Sequence, residues 1–408
     1  MERTDQIQNA LQNAVDRQEL AGAVATVWRP GDSQTFCAGW RDLEAKLPVE
    51  RDTIFRIASM TKPLTSVAAL MLVDEGKIAL NDPISKYAPE FSNMRVLKSP
   101  DGPLNETEPG NRPITFEHLL THRAGLTYGD FHRGPIAQAY FEALGRDIDS
   151  DVAPEEWMRR LAALPLIGQP DSAMYYGKAT DLLGFLIAKI EGSSLGAVLE
   201  RRIFGPLGMK DTGFVVPPEK HPRRAAAHGF DDAGRLIKRT TWGSSPRDPV
   251  VHERPQDMAY EAGSGGLWST VGDYLKFARL FLGDGAVDDV RLLRPETLRL
   301  MMTNHLTDEQ RACSGYLGLK PFARGRGFGL GVSVVLETDN ADIMRRGSPG
   351  TVSWPGAYGG WWQADPQEQS ILIFLTHNMV TLDQMAKGIG LGVWAAIEQF
   401  SAAAMSPR

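Results

Sequence analysis

Ser59-Met60-Thr61-Lys62 places a hydroxyl and an ammonium three positions apart, on one face if the segment is helical. A serine hydroxyl becomes a nucleophile when a base draws off its proton. Lysine can be that base once burial or neighbouring cations bring its pKa down from about 10.4. Pro63 follows directly, and its ring clashes with the carbonyl four residues back, so Ser59 belongs at or before the first helical turn. There a developing oxyanion meets unpaired N–H groups. About one Ser-x-x-Lys arises by chance in such a chain, and an N-cap beside a solvated lysine reads the same way.

Two further stretches carry compatible chemistry. Tyr175-Tyr176-Gly177-Lys178 precedes a helical pattern. A tyrosine beside a cation such as Lys62 can serve as general base, while an aromatic pair can equally anchor a helix start. Ser353-Trp354-Pro355-Gly356-Ala357-Tyr358-Gly359-Gly360 lies between strand-like segments, where glycines let backbone approach a ligand. Pro355 has no N–H, which leaves Ala357 as the donor for an oxyanion; an ordinary glycine-rich hairpin is the alternative. Gly192-Ser193-Ser194-Leu195-Gly196 matches G-x-S-x-G, but it follows a helix where a nucleophile elbow must follow a strand. His118 and His122 share a helical spacing without the glutamate or third ligand of a zinc site, and are expected to brace the loop Arg123–Leu126.

The elements that must position these groups follow from periodicity. Helical spacing covers Thr4–Glu19 and Ser59–Glu75, the latter stopped at Gly76. Gly22–Arg29 and Ser33–Trp40 read as a hairpin across Pro30-Gly31-Asp32. From about Asn81 to Arg311 short helices alternate with Pro- and Gly-rich loops, the clearest being Phe116–His122, Pro154–Ala163, Ala179–Ile190 and Thr270–Leu282. Strands return at Phe328–Glu337, Thr351–Trp354, Gly360–Ala364 and Ser370–His377, before a helix over roughly Thr381–Ala403. The apolar run Ile371–Leu375 wants burial on both faces, so the two chain ends should share one antiparallel sheet. This predicts an α/β (α+β) fold with a discontinuous domain, 1–80 and 325–408, and a helical domain, 81–324, with long loops.

Composition excludes several classes. The 408 residues carry 44 basic and 50 acidic side chains, a net charge of −6 without a long basic run, which disfavours nucleic acid or anionic lipid as partner. Cys37 and Cys313 form no disulfide framework, and no apolar run reaches membrane-spanning length. The polar start, Met1-Glu-Arg-Thr, lacks a secretory h-region; a cytoplasmic protein is expected.

Taken together, the Ser-Met-Thr-Lys, Tyr176 and Trp354-x-Gly356 motifs, in that order, resemble the serine β-lactamase/penicillin-binding superfamily, and most closely its class C-like branch, the family VIII carboxylesterases. Supporting blocks stand between them: Phe55–Pro63, Ile114–His122, Tyr176–Gly184, Pro206–Met209 and Gly265–Thr270. The resemblance implies an antiparallel sheet flanked by terminal helices plus a mainly helical domain. It implies an acyl-enzyme on Ser59, with Lys62 as proton partner and Tyr176 as base or relay. It puts the oxyanion in the N–H groups of Ser59 and Ala357, the acyl pocket at Tyr128, and Trp354 and Gly356 in the substrate wall. No cofactor or metal enters this chemistry. Two departures bear on substrate. Trp354 replaces the cation that holds a β-lactam carboxylate, which favours small, short-acyl neutral esters over β-lactams or D-amino-acid peptides. Lys178 replaces the usual asparagine, and its direction, into the site or out to solvent, is open.

Overall fold

In a computed structural model of the chain, residues 3–132, 134–145, 150, 152–239, 259–314, 320, 322 and 324–405 are described. Met1 and Glu2, and parts of the inserted segment, lie outside that set. β1 (Gly22–Arg29) and β2 (Asp32–Asp42) pair across Pro30-Gly31, where Gly31 takes φ +79°. A type II turn requires a positive φ at its second central position and favours proline at its first. β3 (Leu47–Pro48) adds to β2. From the far end of the chain come β4 (Arg326–Phe328), β5 (Ser333–Val335), β6 (Val352–Ser353), β7 (Trp361–Asp365) and β8 (Ser370–Thr376).

All eight form one antiparallel sheet in the order β4-β5-β6-β7-β8-β1-β2-β3. β8 lies inside it, with Phe374 opposite Ala25 on one side and Ile373 opposite Trp362 on the other. Every β8 residue is buried, and alternation sends them to two cores. Leu372 and Phe374 meet Ile7, Leu11, Ile397 and Phe400, from α1 (Arg3–Asp16) and the C-terminal helix α5 (Gly392–Met405). Ile371, Ile373 and Leu375 join the larger core with α2 (Thr61–Asp74) and α4 (Ala179–Glu191). A fifth helix, α3 (Pro135–Leu144), lies in the inserted segment.

Several boundaries differ from the sequence expectation. The stretch Phe328–Glu337 is the hairpin β4/β5, because Gly331 at φ +90° turns the chain where a Cβ would overlap Ser66. The closing helix breaks into Leu382–Ala386 and α5, with Gly388 and Gly390 at φ +78° and +75° between them. These conformations cost little only for glycine. The Thr270–Leu282 helix ends its α turns at Ala278 and tightens to 3-10 over Arg279–Phe281. The middle region also holds short strands, among them Trp268–Ser269 paired with Phe55–Arg56. No single helix among the described residues is long and apolar enough to cross a membrane.

Candidate active site

The chain reaches Ser59 from the Phe55–Arg56 bridge, and the Ile57 N–H bonds Leu267 O at 3.0 Å. Ala58 then takes φ +45°, a left-handed conformation that a residue with a Cβ adopts only when its surroundings enforce it. A 3-10 turn, Ala58–Met60, leads into α2, with Pro63 in the first α turn. Ser59 therefore precedes α2, where the Pro63 clash argument put it.

Ser59 Oγ accepts two hydrogen bonds, from Lys62 Nζ at 3.1 Å and from the Tyr176 hydroxyl at 2.8 Å. Lys62 is fully buried; it also donates to Ser264 O at 2.8 Å and Tyr128 Oη at 3.2 Å. Its ammonium lies 4.5 Å from the Tyr176 ring centroid, within cation–π range. Tyr176 Oη accepts from Trp354 Nε1 at 3.2 Å. Rings close round it: His122 at 4.9 Å, Trp354 at 5.3 Å, Tyr128 at 5.5 Å and Phe131 stacked at 6.0 Å.

Lys178 turns inward. It is buried, lines the cavity, and holds its ammonium 5.2 Å from the Tyr128 ring centroid and 3.8 Å from Asp181 Oδ2. Asp181 is completely buried and accepts the Ser264 N–H at 2.9 Å; burial raises its pKa against the opposing pull of Lys178. The backbone of Ser264 thus bridges two buried side chains, since its N–H faces Asp181 while its C=O faces Lys62. Sequence reasoning passed over Ser264 and Asp181, although the Tyr176–Gly184 block contains Asp181. His122 departs from the sequence expectation. Its ring packs on Tyr176 and Phe328 rather than bracing the following loop, and burial and then Lys62 hold its pKa well below 6.5. His118 caps its own helix by accepting the Thr115 N–H at 3.2 Å.

Gly356 runs close to the Ser59 turn: a Cβ there would stand 2.5 Å from Ile57 O. Its N–H is bonded to Gly360 O at 2.7 Å, and Ala357 stands exposed at the turn, lining the cavity with Ser59. Gly192 and Ser194 do cap two helices, at φ +64° and by accepting the Ala197 N–H at 3.3 Å. The cavity at Ser59 measures about 870 Å³, within the range that encloses drug-sized ligands. Its walls hold Tyr128, Tyr176, Lys178, Trp354 and Gly356 as well.

An antiparallel sheet built from both chain ends, with a serine at the head of the helix packed on it, defines the β-lactamase/penicillin-binding class of folds. The chain belongs to the Beta-lactamase family, whose model matches residues 7–391. It is 45% identical over 376 residues to protein Rv1367c of Mycobacterium tuberculosis, covering 91% of this chain and 89% of that one. It is 31% identical to the esterase EstB of Burkholderia gladioli over 387 residues, 90% and 88% of the two chains. Among solved structures it resembles EstCE1, described as a hydrolase with promiscuous acyltransferase activity, with a TM-score of 0.79 and 25% identity over 99% of this chain and 98% of that chain.

Proposed function

We propose that this protein is a cytoplasmic serine carboxylesterase of the family VIII type, cleaving short-acyl esters through an acyl-enzyme on Ser59. The observation that carries this reading is one oxygen, Ser59 Oγ, within hydrogen-bond reach of both Lys62 and Tyr176 in a cavity lined by neutral Trp354. With one of the pair deprotonated, that group takes the Ser59 proton as Oγ bonds to the ester carbonyl carbon. The N–H groups of Ser59 and Ala357 hold the oxyanion. As the carbonyl re-forms, the bond to the alkoxy oxygen breaks, and the stored proton goes to the departing alcohol. Water then repeats the sequence and frees the acid. The resemblance to EstB supports the ester as substrate class. Trp354, in the place of a cation, argues against a β-lactam or D-amino-acid peptide whose carboxylate needs a charge.

The test is hydrolysis of p-nitrophenyl butyrate. Ser59→Ala should lower kcat by on the order of a thousandfold or more, and Tyr176→Phe should fall sharply. Full activity in Ser59→Ala ends the proposal, and rapid turnover of a chromogenic cephalosporin with feeble ester cleavage transfers it to a β-lactamase. A second reading, acyl transfer to an alcohol, draws support from the acyltransferase activity described for EstCE1. Transfer products on adding an alcohol acceptor would reveal it.

A further inference from the structure

The walls of the Ser59 cavity differ in chemistry. Against the nucleophile stands the Tyr176 ring, with the rings of Tyr128, Phe131 and Trp354 at centroid distances of 5.3–6.0 Å from it. A wall of rings beside the nucleophile suits a small group bonded to Ser59. Another wall comes from the 3-10 turn Ile343–Arg345, the segment following β8 and the start of α5. It presents Met344, Met379, Val380, Leu382, Met385 and Trp394 to the same cavity. Met379 is buried and the other five are half-buried; Met344 and Trp394 pack partly on the sheet-side core, and all five keep apolar surface facing the cavity.

Helix Leu382–Ala386 buries none of its residues, yet Leu382 and Met385 line the cavity. Burial in the core does not account for apolar residues there, whereas contact with a bound ligand does. Three of the six are methionines, whose unbranched, flexible side chains adapt to a mobile chain better than to a rigid ring system. Asp383 lies in the same wall and disfavours a carboxylate at the chain's end. A short-acyl ester of a small alcohol would leave this wall empty.

The geometry points to this methionine-rich wall as a subsite for a long, neutral aliphatic chain on the alcohol side of the ester, the short acyl group sitting among the rings. The inference rests on the serine-esterase reading for its chemistry, but binding can be measured without turnover. With the full-length protein, kcat/KM for straight-chain alkyl acetates should rise about threefold per methylene from ethyl towards decyl. A matched series of vinyl esters with lengthening acyl chains should fall. Met385→Lys and, separately, Leu382→Glu should flatten the alkyl dependence; both positions are half-buried, and the ratio of decyl to ethyl acetate is insensitive to the amount of folded enzyme. In Ser59→Ala protein, calorimetry should show decyl acetate binding at least tenfold more tightly than ethyl acetate. Equal binding of the two overturns the subsite, and so does a rise confined to the acyl series. Tighter decyl binding without turnover of any ester, p-nitrophenyl butyrate included, upholds the subsite and removes the esterase reading instead.

Discussion

Ser59 is contacted by a lysine and a tyrosine, and each has its own polar support. The Ser264 carbonyl holds Lys62, while the Tyr176 oxygen receives the indole N–H of Trp354. A donor to a phenolic oxygen stabilises it most when that oxygen carries negative charge, so Trp354 supplies without formal charge part of what a lysine would supply there. Trp354→Phe retains an aromatic ring for the contact with Phe328, now at 5.1 Å, and deletes the donor. Its kcat on a short ester should drop roughly fivefold, equivalent to about 1 kcal/mol, with KM nearly unchanged. Steady-state kinetics check this, and an unaltered kcat would place the indole N–H outside proton transfer. Gly356 acts by what it lacks. In Gly356→Ala the new Cβ must move away from Ile57 O, shifting backbone against the turn that carries Ser59. A displacement near 1 Å at a reacting group costs on the order of a hundredfold, so kcat should fall that far. Circular dichroism should meanwhile show the fold intact.

At the scale of elements, α2 and the sheet were the most legible parts of the chain. Strict apolar spacing and a glycine stop marked α2, and the unbroken apolar run of β8 could only be an inner strand. What stayed hidden were interruptions made by tertiary contact. Gly331 turns where a Cβ would overlap Ser66, and a neighbour 265 positions away in sequence (331 − 66) leaves no periodic trace. The site divides similarly. Ser59, Lys62 and Tyr176 were readable because residue type and spacing carry their chemistry, whereas the inward turn of Lys178 depends on buried Asp181. Element ends are joined by charges. Glu75, capping α2, meets Arg202 at 2.5 Å and Lys77 at 2.9 Å, and Arg202 also holds Glu191, at the end of α4, at 2.9 Å. Arg202 first, then Lys77, lower the Glu75 pKa from 4.5 to about 2. A carboxylate lowered on folding stabilises the fold above its unfolded pKa and loses that contribution as pH falls through its folded value. The pair is partly exposed, so screening limits the effect to about 1 kcal/mol. In urea melts Glu75→Gln should be less stable than the parent by that amount at pH 7. The gap should close between pH 4.5 and about 2. A gap constant with pH would assign the loss to packing.

For the whole molecule, the chain's course suggests two bodies, 1–80 with 325–408 and 81–324, but apolar packing crosses that division. One hydrophobic core joins Ile373 and Trp362 of the sheet to Leu64 of α2, Leu186 of α4 and Trp157 of the inserted segment. Phe281, from the insertion, packs on Trp362 with ring centroids 5.0 Å apart. Unfolding the insertion alone would strip one side of that core and expose the inner faces of β7 and β8. The free energy of such exposure grows with apolar area. The two segments should therefore unfold together despite a length at which separate domains are common. Calorimetry should show one transition whose calorimetric and van't Hoff enthalpies agree, with tryptophan fluorescence and far-UV circular dichroism superimposing. Leu186→Ala in the insertion and Ile373→Ala in the sheet should each destabilise this one transition by about 2–5 kcal/mol. Two resolved transitions, one answering only to Leu186→Ala and the other only to Ile373→Ala, would show that the division in chain order is also a division in energy.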